Sequence, residues 1–335
     1  MNVITHHGQM SHTRNLRPLT DAELQRYAPS VFAKEPWHER TDKYRFVPTI
    51  DVVNALRDHG IVPVRAYQSS SRIEGKGEYT KHMIRFRMSG DYDRLQVGDT
   101  VPEVVLINSH DGACAYRLTM GLFRLACSNG MMVNDQTIGN MSVRHIGNAD
   151  LREGVIDATM EIVKEAPKVL DRIGEWGRIT LDREEQIEMA DRALTAYDSA
   201  IQLRPDRLLH VRRREDYPEA DGTRDLWRTF NVIHENLIRG GVYGRSTSGR
   251  RQRTREVRSI DRNVSLNQSL YGIAQEMAEL RGEAPGNGRV IRVARFEDAA
   301  APVEVRDTRT PFEQCRDLFA KYGPAWTQHT AELTY

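Results

Sequence analysis

Two kinds of hydrophobic periodicity divide this 335-residue chain. Between residues 61 and 133, apolar side chains recur at every second position in short runs, which is typical of half-buried strands. Beyond residue 150 they recur every three to four positions, as on amphipathic helices. We therefore predict an α+β fold, in which a mostly antiparallel sheet with a flanking helix, capped by Thr49, precedes a helical region.

Arginines interrupt the apolar alternation of the predicted sheet. Within residues 81–89, apolar Phe86 lies between Arg85 and Arg87. Because successive side chains of a strand point to opposite faces, we expect Phe86 in the core and both arginines on an exposed face. A later strand carries Arg117 and Arg124, which extend this predicted basic surface.

The helical region ends in a predicted helical hairpin with a basic tip. Apolar positions of residues 226–238 and 266–280 follow helical spacing, and the loop at residues 239–262 joins them. Pro167 is expected to bend or restart an earlier helix, and Thr180 or Asp182 to cap the next one. The predicted organisation is an N-terminal arm (1–44), a sheet domain (45–149), a helical region (150–281) and a C-terminal tail (282–335).

Charge is unevenly distributed, although the whole chain carries a net charge of only +1. Residues 150–198 sum to −6 and residues 199–262 to +6. No apolar run reaches the roughly 18 residues of a membrane span, and the N-terminus lacks the apolar core of a secretory signal. A cytoplasmic protein without membrane contact is therefore expected. The three cysteines have no zinc-site spacing and are expected to be reduced.

The loop at residues 239–262 contains eight arginines and two acidic residues. Arginine presents a planar fork of donors that binds phosphate oxygens in pairs. A solvated connector is the simpler interpretation, but the local excess in a nearly neutral chain favours a polyanionic ligand. The expected contacts are Arg245, Arg250, Arg251, Arg253, Arg255 and Arg258, with Tyr243 stacking on an unpaired base.

Residues with catalytic chemistry do not form a recognisable motif. His110, Asp111 and Glu235 carry suitable side chains, but their spacing matches neither a metal site nor a nucleophile motif. We therefore expect no catalytic site, cofactor or metal. A nuclease or other nucleic-acid enzyme that uses Asp111, His110 or Glu235 with a metal stays open as an alternative.

Several segments carry a family resemblance. These are PEVVLINSHDGACAYRLTMGLFRLACSNGMMV, DLWRTFNVIHENLIRGG, TREVRSIDR and NQSLYGIAQEMA. Together they resemble the plasmid and prophage family called domain of unknown function nine-three-two, over roughly residues 45–281. The resemblance implies an accessory protein of a mobile element, of a kind often encoded beside antirestriction and DNA-repair genes.

The combined expectation is a nucleic-acid-binding accessory protein that favours single-stranded DNA, with duplex DNA and RNA as further possible ligands. Single-strand annealing in recombination by a homo-oligomer is the specific hypothesis. An antirestriction protein that binds a host protein through the same basic loop is the main alternative, and the sequence does not decide between them.

Overall fold

The computed structural model describes residues 17–37, 46–89, 100–124, 130–133, 141–143 and 151–281. Over these residues the fold is α+β, as the two periodicities predict. An antiparallel sheet has the strand order β1-β2-β3-β4-β5, and β6 also pairs with β4. Its strands are β1 (Ile61–Gln68), β2 (His82–Met88), β3 (Thr100–Asn108), β4 (Tyr116–Arg124), β5 (Gly130–Met132) and β6 (Met141–Val143).

Helices flank the sheet and form the second half of the fold. They are α1 (Asp21–Tyr27), α2 (Thr49–Asp58), α3 (Leu151–Trp176), α4 (Arg183–Tyr197), α5 (Pro205–Leu208), α6 (Leu226–Arg239) and α7 (Ile260–Leu280). Two short strands, β7 (Thr180–Leu181) and β8 (Arg224–Asp225), pair with each other. No helix in the described ranges has both the length and the apolarity to cross a membrane.

The structure confirms some of the predicted helix boundaries and not others. Asp182 caps α4 with a complete capping box, as predicted. Pro167 lies inside α3, so the helix does not restart there. The predicted hairpin is confirmed, because α6 and α7 pack together and the arginine-rich segment joins them.

One face of the sheet packs on helices α2 and α3. Phe86 and the residues of the same parity on β2, β3 and β4 are buried there, as the alternation predicts. The same hydrophobic cluster continues into the helical region, where Trp176 lies 6.3 Å from Trp227 and 6.0 Å from Phe230, measured between ring centroids. Sheet and helices therefore share one core.

The opposite face of the sheet is also covered. Val105, Ile107 and other residues of that parity pack against Ile260 at the start of α7. Farther along α7, the side-chain oxygen of Asn267 accepts a hydrogen bond of 2.9 Å from the backbone N–H of Met132 in β5. The sheet consequently lies between two layers of helix, with no open face at its centre.

Thr49 ties α2 to the sheet instead of capping it. Pro48 occupies the cap position, and the buried Thr49 hydroxyl lies 3.0 Å from Nε2 of both His82 and His110. Burial lowers the pKa of His82 to about 4, so this imidazole is neutral near pH 7. The predicted cap is wrong, because tertiary hydrogen bonds engage the hydroxyl.

Candidate functional site

The arginine-rich segment between α6 and α7 forms a two-stranded antiparallel ribbon. Its strands are β9 (Tyr243–Arg245) and β10 (Arg251–Arg253). The turn between them includes a backbone hydrogen bond of 2.9 Å from the N–H of Ser246 to the carbonyl of Arg250. The loop predicted at residues 239–262 thus lies at the tip of the hairpin, but it has regular structure. We call residues 243–253 the ribbon.

Close backbone contacts fix the position of the ribbon. Gly240 has a φ of 67°, and a Cβ there would lie 2.5 Å from the carbonyl carbon of Arg255. A Cβ on Gly244 would lie 2.4 Å from the backbone oxygen of Gln202. Gln202 and Arg245 exchange both of their backbone hydrogen bonds, at 2.7 and 3.0 Å. Gly240 therefore lets the two ends of the arginine-rich segment approach each other, and Gly244 lets the ribbon pack against the residues before α5.

The two faces of the ribbon differ in character. Gly244 faces Ile201 and Leu203, whose side-chain atoms would lie 2.7 Å from an added Cβ. On the opposite face Tyr243 is 41% exposed, and the guanidinium carbons of its two neighbours on β10 lie 4.0 and 4.6 Å from its ring centroid. We call this exposed face the arginine face, and it consists of Tyr243, Arg245, Arg251 and Arg253.

Most arginines of the ribbon and of the residues that follow it have no acidic partner. Arg258 is paired with Glu256 at 3.1 Å. Within the described ranges, no carboxylate pairs with the five exposed arginines Arg245, Arg250, Arg251, Arg253 and Arg255. Because these guanidinium groups are solvated and uncompensated, they are available to bind an anion.

The basic surface continues at the base of the ribbon. Glu235 is buried and pairs with Arg213 at 2.9 Å and Arg239 at 3.1 Å. Desolvation lowers the pKa of Arg212; Glu235 opposes this effect, whereas Arg239, Arg213 and Arg253 add to it. One carboxylate thus serves several arginines beside the ribbon. Sequence patterns do not reveal that Arg212 belongs to this basic surface, because only the fold brings Arg212 next to the ribbon.

The structure corrects the predicted basic face of the sheet. Arg85 and Arg87 are each only 4% exposed, and both donate to the carboxylate of Glu103. Arg85 also donates to the carbonyl of Met131 at 2.7 Å. The alternation placed both arginines on the correct face of the strand. The prediction that this face is exposed was wrong, because α7 covers it. They therefore do not form the exposed basic face that the alternation predicted.

The other two sheet arginines also have protein partners. Arg124 is buried and donates to Asp216 at 2.7 Å, which joins β4 to the helical region. Arg117 is at the surface, with 42% of its side chain exposed, and lies 3.4 Å from Asp261 of α7. Of the four predicted sheet arginines, only Arg117 is at a surface.

The residues of the nuclease alternative have separate structural partners. His110 belongs to the Thr49 network, Asp111 lies 3.2 Å from Lys76, and Glu235 holds the arginines at the base of the ribbon. In the part of the chain that the structure describes, no three His, Cys, Asp or Glu side chains form a group able to hold a metal ion. The described residues therefore offer no geometric support for this alternative.

Comparison with known proteins places the chain in a family. The family described as "Domain of unknown function (DUF932)" matches residues 36–271, which include the ribbon. Two relatives from Escherichia coli (strain K12), UPF0380 protein YafZ and UPF0380 protein YfjQ, are 36% and 35% identical to it. Each alignment covers 81% of this chain and 95% of the relative. No solved structure matches the chain. On the extent of these matches, the chain belongs to the DUF932 family.

Proposed function

We propose that this protein is an accessory protein of a mobile element that binds single-stranded nucleic acid, preferably DNA, through the arginine face of its ribbon. The observation that carries the proposal is the set of five exposed arginines without a carboxylate partner. Their guanidinium groups match phosphate oxygens in geometry and charge. A nucleic-acid backbone offers such oxygens in a continuous row.

The tyrosine on the arginine face favours a single strand over a duplex. Tyr243 is partly exposed, and Arg251 and Arg253 lie over its ring. Aromatic rings and guanidinium planes both stack on unpaired bases. In a duplex the faces of the bases are covered by their neighbours, so this contribution is available only when the strand is unpaired.

Annealing by an oligomer is the specific form of the proposal. One ribbon offers few phosphate contacts, so a chain of protomers along one strand gains affinity by repeating the same contacts. Residues 150–198 carry a net charge of −6 and residues 199–262 carry +6. This opposition favours contact between the acidic helices of one copy and the basic region of the next.

Fluorescence anisotropy with labelled single-stranded DNA, duplex DNA and RNA tests the proposal, with and without magnesium. The test variant, which we call the ribbon variant, replaces Arg250, Arg251, Arg253 and Arg255 with alanine. We expect it to bind single-stranded DNA more weakly, with a log–log salt dependence shallower by roughly 0.7 per lost contact. Its thermal melt should be nearly unchanged, because these side chains are exposed.

The matched control removes four positive charges elsewhere, by alanine substitution of the exposed residues Arg26, Arg72, Lys164 and Arg183. Equal weakening by both variants would reduce the effect to net charge and contradict a ribbon-specific site. No binding of any oligonucleotide by the wild-type protein would favour the antirestriction alternative, in which the ribbon meets an acidic protein surface.

A further inference from the structure

A second concentration of positive charge lies inside the sheet, on the face that α7 covers. Arg65 of β1 is the register partner of Arg85 in β2, and Arg87 follows on the same face. Like charges in directly opposite positions destabilise a sheet unless another group compensates them. Glu103 of β3 is the carboxylate that contacts this cluster. We call these four residues the sheet cluster.

The one carboxylate is already fully engaged. Oε2 of Glu103 accepts from Arg85, and Oε1 accepts from Nε of Arg87 at 2.7 Å. Arg65 forms no hydrogen bond or ion pair with any other described residue. Three guanidinium groups and one carboxylate leave the sheet cluster with an excess of two positive charges.

The surroundings of Arg65 make this excess unfavourable. Desolvation, together with the charges of Arg85 and Arg87, lowers the pKa of Arg65 to about 10, although Glu103 opposes the shift. Arg65 is half-buried and lies on β1, the edge strand of the sheet, so part of the residue is exposed to solvent. An anion from solution can therefore compensate it.

The chain makes specific room for these guanidinium groups. A Cβ on Gly121 would lie 2.6 Å from Nη2 of Arg85, and a Cβ on Gly130 would lie 2.2 Å from its guanidinium carbon. The guanidinium carbons of Arg87 and Arg65 lie 4.0 and 5.7 Å from the ring centroid of Phe123. Gly121 and Gly130 thus leave space for the guanidinium group of Arg85, and the ring of Phe123 lies beside those of Arg87 and Arg65.

We propose that Arg65, together with Arg87 and Arg85 behind it, forms a binding site for an oxyanion of the phosphate class, separate from the ribbon. A dianion neutralises the excess of two charges, and the planar forks of arginine suit paired oxygens. The ligand is either a free phosphate compound or a phosphodiester of a bound strand. This proposal does not depend on the function of the ribbon.

The test measures binding of inorganic pyrophosphate by calorimetry and its effect on the thermal melt, against sodium chloride of equal ionic strength. We expect pyrophosphate to raise the Tm of the wild type and of the ribbon variant by the same amount. Arg65→Gln should lose this shift and bind pyrophosphate at least roughly tenfold more weakly, a loss of about 1.4 kcal/mol. The control Arg72→Gln, at an exposed position, should behave like the wild type.

A second variant separates loss of the binding site from loss of the fold. Arg65→Lys keeps the charge but loses the planar fork, and we expect it to bind pyrophosphate with an affinity between those of the wild type and Arg65→Gln. An unchanged Tm shift in Arg65→Gln would overturn the site. A shift that disappears in the ribbon variant, or that chloride reproduces, would also overturn it.

Single-stranded DNA distinguishes the two sources of the anion. If Arg65→Gln also weakens binding of the oligonucleotide, the site receives a phosphodiester of the strand. If only pyrophosphate binding is lost, the ligand is a free phosphate compound. Failure of the ribbon proposal alone leaves the pyrophosphate result intact, so the two proposals are tested separately.

Discussion

At the scale of single residues, Glu103 determines whether buried arginines are tolerated on the covered face of the sheet. Desolvation raises the pKa of Glu103, but Arg85 and Arg87 lower it by more, so the group is ionised at neutral pH. Glu103→Gln leaves both arginines charged beside a neutral amide. We expect the free energy of unfolding to fall by about 3–5 kcal/mol, measured by urea denaturation.

Glu78→Gln is the control for Glu103, because Glu78 is exposed. It should change the stability by less than about 0.5 kcal/mol. If Glu103→Gln were equally silent, the carboxylate would not be compensating the buried arginines. By the same physics, glutamate at both positions 85 and 87 should destabilise the fold, because it would put three carboxylates together in a buried place.

Tyr243 separates stacking from charge at the ribbon. Tyr243→Ala should weaken binding of single-stranded DNA by roughly 1–3 kcal/mol, whereas Tyr243→Phe, which keeps the ring, should bind nearly as the wild type does. Fluorescence anisotropy measures both affinities. An alanine variant with wild-type affinity would show that bases do not stack there.

At the scale of elements, the ribbon depends on its contact with the residues before α5. Gly244→Ala places a Cβ only 2.4 Å from the carbonyl oxygen of Gln202, so the backbone must move. We expect weaker binding of single-stranded DNA, because the arginine face is displaced. Anisotropy titration with the variant measures this loss.

Gly272→Ala provides the matched glycine control. An added Cβ at Gly272 meets no atom within 4 Å, and the residue lies within α7. This variant should gain about 0.5–1 kcal/mol of stability and keep its affinity, because alanine favours helix more than glycine does. Wild-type affinity in Gly244→Ala would mean that the position of the ribbon does not matter for binding.

The two strands of the ribbon were foreseeable from local sequence, whereas the contact of the ribbon with Gln202 was not. Tyr243 and Arg245 alternate with one intervening residue, as do Arg251 and Arg253, around a Ser-Thr-Ser-Gly turn. We predicted only a loop because these strands have few apolar residues. The contact with Gln202 joins positions about 40 residues apart, and no local pattern indicates it.

At the scale of the whole molecule, buried histidines make stability depend on pH. Burial lowers the pKa of both His82 and His234 to about 4; Asn267 opposes this at His234, and Arg85 adds to it. The unfolded chain takes up these protons near pH 6.5, whereas the folded protein does not. Stability is therefore greatest above pH 6.5 and falls as the pH drops towards 4.

His234→Gln measures this effect. Glutamine can still donate a hydrogen bond to Asn267 but does not titrate, so the variant should lose about 2 kcal/mol less stability than the wild type between pH 7.5 and 5. Urea denaturation across this pH range gives both slopes. Identical slopes would show that His234 titrates alike in the folded and unfolded states.

Oligomer formation is the other property of the whole molecule that the proposed annealing function requires. Light scattering with a long single-stranded oligonucleotide should show several protomers on each strand, and added salt should dissociate them because the proposed contacts are between opposite charges. A strict monomer in the absence and presence of DNA would contradict the annealing hypothesis.

The sequence by itself determined the two periodicities, and with them the α+β class, the parity of Phe86 against Arg85 and Arg87, and the hairpin between α6 and α7. Each of these depends on contacts between near neighbours in the chain. Only the tertiary structure decided which faces meet water. Asp261 of α7 lies 2.7 Å from Lys81, about 180 residues away in the chain, and this docking covers the face of the sheet that carries Arg85 and Arg87. Alternation distinguishes the two faces of a strand, but what covers each face depends on long-range packing that no local pattern records.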